Sequence, residues 1–336
     1  MQQPPVDRQA LGKAFLKYSK MLNENPAQKR IYLEGGRVQC LPCGSAELGG
    51  NQELSNHPSA PGDSSFDIPP KTTQLQCMSE RYIFHLHIIS VLGKAWDTSD
   101  QQSKFNVLPC VWQTFIGWSS KDFADVHGLV MHAYNPPNAD SFVDHLGLHK
   151  ALCVLKGWDY TKVPDNSKAY QSLPPDLVRA NREDLIIWPP TVIIRNTATG
   201  RKKDGRSEGL GNKEMDKKIA ELGFAGGKSK SLYGKEGHLG LTLIKFANNP
   251  SGLKEAERLA EFFERQDHGR VGWSRGQATH NLDPDTNPML VETDSRGEKK
   301  RILYGCLAIS SDLDELDSDS RKRATVKSIK EFDPSD

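Results

Sequence analysis

The sequence predicts an α+β fold in which a small metal-binding module precedes a domain of the order strand, helix, strand pair, helix, strand. Between residues 183 and 310, apolar runs typical of strands alternate with two segments of helical periodicity. Upstream, Cys40 and Cys43 have the Cys-x2-Cys spacing that lets two thiolates reach one tetrahedral zinc ion. A chain of 336 residues is long enough for about two domains.

Net charge, apolar runs and cysteine content limit the classes of protein to which the chain could belong. The net charge is +1, so any nucleic-acid site must come from local clustering of charge. We expect neither a signal peptide nor a membrane span, because the longest apolar run, residues 82–93, is interrupted by His85 and His87. Six cysteines without secretory context predict reduced thiols or metal ligands. We therefore expect a cytoplasmic protein, including cytoplasmic granules, with the nucleus as the alternative.

Two helices are predicted in the first half of the chain. The first is amphipathic, lies in an N-terminal segment of residues 1–28 and ends at Pro26; its apolar face consists of Leu11, Phe15, Tyr18 and Leu22. The second carries Leu148, Leu152 and Leu155 on one face, with Ser141 as N-cap and Gly157 as the stop. Residues 45–118 show no sustained periodicity, and residues 161–182 predict an irregular linker.

The main domain is predicted over residues 183–310. The first strand covers residues 185–196, where Pro189 and Pro190 require a bulge or an edge position. The segments that follow are a helix at 211–224, a hairpin formed by 233–238 and 239–246, a helix at 252–266 and a closing strand at 271–273. This βαββαβ order is the split βαβ arrangement shared by ferredoxin-like and RNA-recognition domains.

The C-terminal part of the chain predicts one more strand and a tail. Residues 301–309 favour a strand. Residues 312–319 are an acidic run followed by three basic residues, a pattern typical of a solvated helix or tail. We therefore expect residues 311–336 to form a charged tail.

The second pair of metal ligands must come from downstream of the cysteines. Four histidines are candidates: His127, His132, His145 and His149. His145 and His149 lie four residues apart on one helix face, so either could point at the metal, and each of the four could instead be a solvated or core histidine. The 88 residues between Cys43 and His132 do not exclude the site. Closing that loop costs about 1.6 kcal/mol more than closing one of about 14 residues, against roughly 10–16 kcal/mol from zinc binding.

Several motifs, in order, resemble the XS domain of plant RNA-silencing proteins. They are DLIIWPPTVIIRNT, GLGNKEMDKKIAELGF, YGKEGHLGLTLIKF, GLKEAERLAEFFERQ and GRVGW. Upstream, CLPCG, HGLVMHAYN and VDHLGLHKAL are similar to the zinc-finger module that precedes this domain in the suppressor-of-gene-silencing group. Downstream, ILYGCLAISSDLDELD resembles the segment that closes the domain, so the resemblance covers residues 29–44 and about 119–330.

The resemblance implies a ligand set and a function. It places one structural Zn²⁺ on Cys40, Cys43, His132 and His145, in a finger made of residues 29–44 and 119–160. It implies an RNA-binding accessory factor of gene silencing, in small-RNA biogenesis or RNA-directed DNA methylation. Such proteins bind double-stranded RNA with 5′ overhangs and assist an RNA-dependent RNA polymerase. The family also dimerises through a coiled coil, but no sustained heptad pattern follows the domain here, which leaves a homodimer open.

The insert between the two parts of the finger has no counterpart in that family. Removing residues 45–118 would leave 14 residues between Cys43 and His132 and would join CLPCG to SSKDFADVHGL. The spacing of a compact finger is then restored. We hypothesise that the insert is translated from a retained intron or a mis-predicted exon.

Candidate RNA-binding residues follow from charge and aromatic content. RNA-recognition domains stack bases on strand aromatics, but Leu241 and Leu243 stand at those positions, so stacking on this strand is not expected. Residues 201–235 hold ten Lys or Arg against five Asp or Glu. The candidates are Arg201, Lys202, Lys203, Arg206, Lys228, Lys230, Trp188 and Tyr233. The alternatives are a merely soluble basic loop and aromatic residues that pack in the core.

We expect no enzymatic activity. The sequence shows neither a nucleophile with its base nor a Gly-Lys-Ser/Thr loop that cradles phosphate. The alternative function is a protein–protein adaptor that recruits silencing enzymes and binds little RNA. The acidic run at residues 312–319 leaves room for that alternative.

Overall fold

The computed structural model describes residues 6–45, 122–137, 139–278 and 286–332. All of them belong to one compact unit, formed by residues 1–46 and 121–336. Residues 46–121, which include nearly all of the insert at 45–118, lie outside the described residues. The compact unit is a mixed helix and sheet structure, as the sequence predicts.

The N-terminal segment forms two helices, α1 (Arg8–Glu24) and α2 (Pro26–Glu34). Phe15, Tyr18 and Leu22 are buried, which confirms the predicted apolar face. Pro26 follows the last turn of α1 as predicted, but it also begins α2. The side chain of Asn25 accepts hydrogen bonds from the backbone N–H groups of Ala27 and Gln28, so a favourable cap is followed by proline at the first helical position.

Short elements from both sides of the insert come together next. They are β1 (Val38–Gln39), α3 (Leu41–Ser45), β2 (Asp122–Phe123), α4 (Val126–Tyr134), a 3₁₀ turn (Ala139–Ser141) and α5 (Phe142–Lys156). β1 and β2 pair in antiparallel fashion, with Val38 opposite Phe123. Helix α5 ends at Gly157 as predicted, in a left-handed conformation with φ 74°, whereas the Ser141 side chain forms no cap.

Helix α1 lies directly against α5. At the crossing, a Cβ added to Gly147 would lie 2.6 Å from the Cβ of Ala14, so only glycine allows this approach. The buried apolar residues of both helices belong to one core that also includes residues of the C-terminal half, such as Leu313 and Val326. The N-terminal helix therefore connects the cysteine-bearing region with the main domain.

The predicted linker at residues 161–182 is wrong in part. It contains a 3₁₀ turn (Ala169–Gln171) and the start of α6 (Pro175–Glu183). Tyr170 is fully buried, and its ring lies against those of His127 and Trp158. One large aromatic residue gives this polar segment something to bury, and composition averaged over the segment hides it.

The elements of the main domain follow in order. They are β3 (Leu185–Trp188), β4 (Thr191–Arg195), β5 (Ala198–Arg201), β6 (Ser207–Gly209), α7 (Asn212–Glu221), β7 (Lys228–Gly234), β8 (Gly237–Lys245), α8 (Pro250–Arg265), α9 (Arg270–Ala278), β9 (Val291–Thr293), β10 (Lys299–Arg301), β11 (Tyr304–Leu307), a 3₁₀ segment (Ser310–Glu315), α10 (Ser318–Arg323), β12 (Thr325–Ser328) and a final 3₁₀ turn (Ile329–Phe332). The predicted helices at 211–224 and 252–266 are confirmed as α7 and α8.

The main sheet contains β11, β4, β8 and β7 in that spatial order, and each strand is antiparallel to its neighbour. The hairpin β5–β6 joins β8 through the parallel pair Ser207 and Gly237. The predicted single strand at 185–196 is two strands. Pro189 and Pro190 separate them, and β3 pairs with β12 outside the main sheet.

The closing strand predicted at residues 271–273 is wrong. These residues lie in helix α9, and the strand that closes the sheet is β11, within the other strand predicted at 301–309. A three-residue apolar run is too short to show either strand or helix periodicity. The Trp273 ring lies against that of Tyr304, with centroids 5.4 Å apart, so its partial burial comes from helix-to-strand packing.

Both faces of the main sheet are covered. Val192 and Ile194 point to a core that includes Met215 of α7 and Leu259 of α8. Ile193, which points the opposite way, belongs to the core that contains Leu313, Leu316 and Val326. The predicted charged tail at 311–336 is therefore wrong over its described part, because these apolar side chains fold back onto the sheet.

The acidic run is likewise not a solvated tail. Asp312 is 3% exposed, and its carboxylate accepts two hydrogen bonds of 2.7 Å from Arg270. Burial alone would raise the pKa of Asp312, but Arg270 and Arg195 hold it below its ordinary value. Arg195 also donates two hydrogen bonds of 2.9 Å to Glu315. The partners lie more than 40 residues away in sequence, which is why a charge pattern alone predicts a tail.

Candidate metal centre and nucleic-acid interface

Two cysteines and two histidines converge in the N-terminal region. Cys40 directly follows β1 and Cys43 lies in α3, while His132 lies in the last turn of α4 and His145 in the first turn of α5. Pairing of β1 with β2 brings the two sides of the insert together, and the ring of Phe123 in β2 lies 4.9 Å from that of His132. This short antiparallel strand pair thus places the cysteines beside the two helices.

The ligand atoms of these four residues all lie within 4.8 Å of one another. The Sγ atom of Cys43 is 3.4 Å from Nε2 of His132 and 3.3 Å from Nε2 of His145. Tetrahedral zinc with ordinary Zn–S and Zn–N bonds separates sulfur from nitrogen by about 3.6 Å. Donor set and spacing therefore fit one tetrahedral zinc ion.

Burial shifts the protonation of two of the four candidate ligands. Burial raises the pKa of the Cys40 thiol to about 12, so a cation is needed to hold it as the thiolate that binds metals. Burial, followed by the neighbouring His145, lowers the pKa of His132 and favours the neutral imidazole. The Nδ1 of His145 lies 2.7 Å from the carbonyl oxygen of Ser141. A hydrogen bond donated there leaves Nε2 as the ligand atom.

The other two candidate histidines lie elsewhere. His127 forms a 2.7 Å hydrogen bond with the hydroxyl of Tyr170. His149 is buried one turn beyond His145, 3.8 Å from the Sγ of Cys153 and beside the ring of Tyr134. Burial lowers the pKa of His149 to about 4, so it is a neutral core histidine.

A basic hairpin lies at the edge of the main sheet. Arg201, Lys202, Lys203 and Arg206 are all exposed at the turn between β5 and β6. The N–H of Lys202 donates a 2.8 Å hydrogen bond to the carbonyl of Arg206, which closes the turn, and Gly205 adopts φ 82° within it. Arg206 also pairs with Asp204 at 3.8 Å. The sequence-predicted cations are therefore presented together to solvent.

Comparison with known protein families decides what the main domain is. A family model, the XS domain, matches residues 183–315. The chain carries an XS domain. The match includes the main sheet, helices α7 to α9 and the 3₁₀ segment that covers the sheet, so the resemblance of the motifs within residues 183–315 to the XS domain is confirmed.

Curated relatives agree with this assignment. The chain is 29% identical over 150 residues, 45% of its length, to a rice protein, "Protein SUPPRESSOR OF GENE SILENCING 3 homolog", and 31% identical over 146 residues to the tomato "Protein SUPPRESSOR OF GENE SILENCING 3". It is 24% identical over 100 residues to "Factor of DNA methylation 3" of Arabidopsis thaliana. The matched parts are 22%, 20% and 16% of these relatives, so the chain spans about a fifth of their length.

Two other predicted RNA contacts on the XS domain, Trp188 and Lys230, are engaged within the fold, whereas Lys228 stays a prediction. Trp188 is 6% exposed and stacks on Phe332, with the ammonium of Lys327 over its ring, so it packs in the core. Lys230 forms ion pairs with Asp317 at 2.8 Å and with Asp319 at 3.3 Å, which neutralises its charge. Lys228 is exposed at the start of β7, at the opposite end of that strand from the β7–β8 turn.

Tyr233 remains available for contact. Its side chain is 58% exposed near the β7–β8 turn, beside the ring of His238. Because β6 pairs with β8 at Ser207 and Gly237, this turn lies next to the basic hairpin. One exposed aromatic ring therefore accompanies the cations of the β5–β6 turn.

Sequence reasoning missed a second basic hairpin on the XS domain. Strands β9 and β10 pair with each other, and β10 consists of Lys299, Lys300 and Arg301. Three consecutive cations were the available signal, but they fall outside the basic stretch of residues 201–235.

None of the described helices is long and apolar enough to cross a membrane.

Proposed function

We propose that the chain is an RNA-binding accessory factor in RNA-mediated gene silencing that recognises double-stranded RNA with overhangs. The observation that carries the proposal is the exposed basic hairpin, Arg201 to Arg206, on a domain related to named silencing factors. The similarity to "Factor of DNA methylation 3" extends the proposal to RNA-directed DNA methylation. Small-RNA biogenesis and DNA methylation are both consistent with RNA binding.

We also propose that the domain has the RNA-recognition-like, split βαβ arrangement. The strand order β11, β4, β8, β7 with helices α7 and α8 on one face supports this proposal. The other face, on which such domains usually stack bases, is covered by residues of the C-terminal segment such as Leu313 and Leu316. The domain would therefore bind the phosphates of RNA at the edge of the sheet.

The metal centre is proposed to be structural. Cys40, Cys43, His132 and His145 would fill all four positions of one Zn²⁺, and a closed four-ligand site is typical of structural rather than catalytic zinc. The ion would hold α3, α4 and α5 together. Helix α1 lies against α5 and against the C-terminal segment. By holding α5, the ion would therefore also fix the position of the C-terminal segment that covers the sheet.

Binding through phosphates predicts a strong dependence on salt. Each neutralised phosphate contributes about one to the slope of log affinity against log salt concentration. A Lys202→Ala, Lys203→Ala double variant should therefore lose about two from that slope. The weakening should be similar for all base sequences, because these side chains reach no base edges.

The test is a titration of the full chain with overhang-bearing and blunt duplex RNA over a series of salt concentrations. The matched control is a Lys254→Ala, Arg258→Ala double variant, which removes two exposed cations from α8. We expect the hairpin variant to bind weakly with a reduced slope and the control to bind as the wild type does. Equal slopes for both variants would remove the hairpin from the RNA site.

One observation favours the adaptor function as a second candidate. An open cleft of about 670 Å³ lies between α6, α8 and α9, with Leu307 and Ile309 in its floor. The charged residues that line it are four glutamates and two arginines, so the cleft has a net negative charge that repels nucleic acid. Wild-type protein that fails to bind either duplex at low salt would leave the adaptor function as the better explanation.

A further inference from the structure

A groove of about 580 Å³ lies between the two basic hairpins of the XS domain. It is formed by the β4–β5 junction, α7 and the β9–β10 hairpin. The polar and cationic side chains that line it are Thr197, Thr199, Lys218, Lys299, Lys300 and Arg301. Glu292 is the one acidic side chain among its described lining residues, so the groove has a net positive charge.

The fold holds the walls of this groove in place. Asn196 adopts a left-handed conformation with φ 63°, and its side-chain nitrogen donates to the carbonyls of Leu290 at 2.7 Å and Ile302 at 2.8 Å. These bonds anchor both ends of the β9–β10 hairpin to the end of β4. The backbone of Thr197 is bonded to Gly240 and to Leu210, so its side chain is fixed at the base of the groove.

The hydroxyl of Thr197 points to a missing partner. Thr197 is fully buried, and its Oγ1 has no hydrogen-bond partner among the described residues. Leaving a buried hydroxyl without a bond costs about 1–3 kcal/mol, so such groups are normally satisfied by a ligand or by water. A buried O–H donor beside several cations suits an anionic oxygen.

We propose that this groove binds a phosphate of a nucleic-acid backbone, with Thr197 Oγ1 as hydrogen-bond donor and Lys218 and Lys300 as counter-charges. Lys218 comes from α7 and Lys300 from β10, so the two cations approach from different walls. Cationic and hydroxyl side chains are typical donors to phosphate oxygens.

The inference rests on the proposed RNA binding and extends its surface. Thr199 lies in β5, the strand that leads directly to Arg201 and the basic hairpin. One nucleic-acid strand could therefore place successive phosphates on the groove and on the hairpin. Free phosphate offers the same oxygen atoms, so the test must separate the two sources.

The experiment uses the full chain with duplex RNA and, in separate titrations, inorganic phosphate. A Lys218→Ala, Lys300→Ala double variant should weaken RNA binding about tenfold or more at moderate salt and lower the salt slope by about two. Thr197→Val should weaken binding about fivefold, while Thr197→Ser, which keeps the hydroxyl, should restore it. Thermal unfolding of each variant checks that the fold is retained.

The outcomes separate this inference from the proposed function. Wild type that binds RNA, with groove variants equal to the Lys254→Ala, Arg258→Ala control, overturns the groove and leaves RNA binding intact. Wild type that binds no RNA overturns the proposed function itself. A groove that takes inorganic phosphate while its variants leave RNA affinity unchanged overturns the assignment to a nucleic-acid backbone.

Discussion

The cysteine–histidine region and the XS domain are stabilised in different ways. Around the metal centre, two two-residue strands and three helices meet at four side chains that lie within 4.8 Å of one another. The XS domain is instead built on a sheet whose neighbouring residues Val192, Ile193 and Ile194 are all fully buried. The stability of the first region depends on one cluster of four side chains, whereas that of the XS domain is distributed over two faces of a sheet.

A single substitution should therefore cost more stability at the metal centre than in the core of the sheet. A missing ligand in a four-coordinate site removes the ion and everything that the ion holds. A missing apolar side chain in a sheet core costs a few kcal/mol and leaves the rest of the core in place.

The largest effect is expected at the metal centre. Cys43→Ala should reduce bound zinc from one ion per chain to none and unfold the region around α3 to α5, since structural zinc contributes roughly 10–16 kcal/mol. Metal analysis of the purified protein measures it. Cys153→Ala is the matched control, because this buried cysteine lies on α5 outside the cluster. A Cys43→Ala protein that keeps one zinc ion would contradict the assignment.

The XS domain also has one position where charge is concentrated. Asp312→Ala should destabilise the protein by about 3–5 kcal/mol, because the partly buried Arg270 would lose its carboxylate partner and the buried Arg195 would lose one of its two. Urea unfolding measures the loss. Asp319→Ala, which removes a half-exposed partner of Lys230, should cost at most about 1 kcal/mol. Equal losses for the two variants would show that the buried pair has no special weight.

A pH dependence is expected from His149. Its pKa is about 4 when folded and near 6.5 when unfolded, so the unfolded state binds more protons between these values. Stability is therefore present above pH 6.5 and is lost as the pH falls towards 4, by about 3 kcal/mol from this residue.

The measurement is the free energy of unfolding between pH 7 and 4.5 for wild type and His149→Leu. The variant should show a shallower loss of stability than the wild type as the pH falls. Identical slopes for wild type and His149→Leu would exclude His149 as the source of the acid sensitivity.

The smallest effect is expected from shortening the insert. Removing residues 45–118 should leave one zinc ion per chain and change stability by only about 1–2 kcal/mol, because β1 and β2 already pair across the insert. Zinc content and thermal unfolding of the shortened chain measure it, with Cys43→Ala in the same background as the metal-free control. A shortened chain that binds no zinc would contradict the hypothesis that the insert interrupts a complete finger.

Local sequence patterns predicted much of this structure, and long-range partners account for the failures. Helices α7 and α8 and the apolar face of α1 follow from periodicity alone. The cysteine spacing and the family resemblance together indicated His132 and His145 rather than His149, and the structure places those two beside the cysteines. These features depend on residues close in sequence or on recognisable motifs.

The remaining features depend on partners far apart in the chain. Asp312 looks like part of a tail until Arg270 and Arg195 are placed around it. Trp188 looks like a stacking platform until Phe332 covers it. The groove at Thr197 arises only when the β9–β10 hairpin folds against β4 and α7. No local pattern contains such information.

The C-terminal segment that covers the sheet limits how the protein could distinguish one RNA base sequence from another. A protein can discriminate among bases only if their edges or their rings contact it. Here the surface of the sheet on which bases would stack is occupied by apolar side chains of the protein, such as Leu243 and Leu313. An RNA held only by its sugar–phosphate backbone is recognised by its shape. If the proposed backbone contacts hold, the protein should bind duplexes of different base sequence with similar affinity.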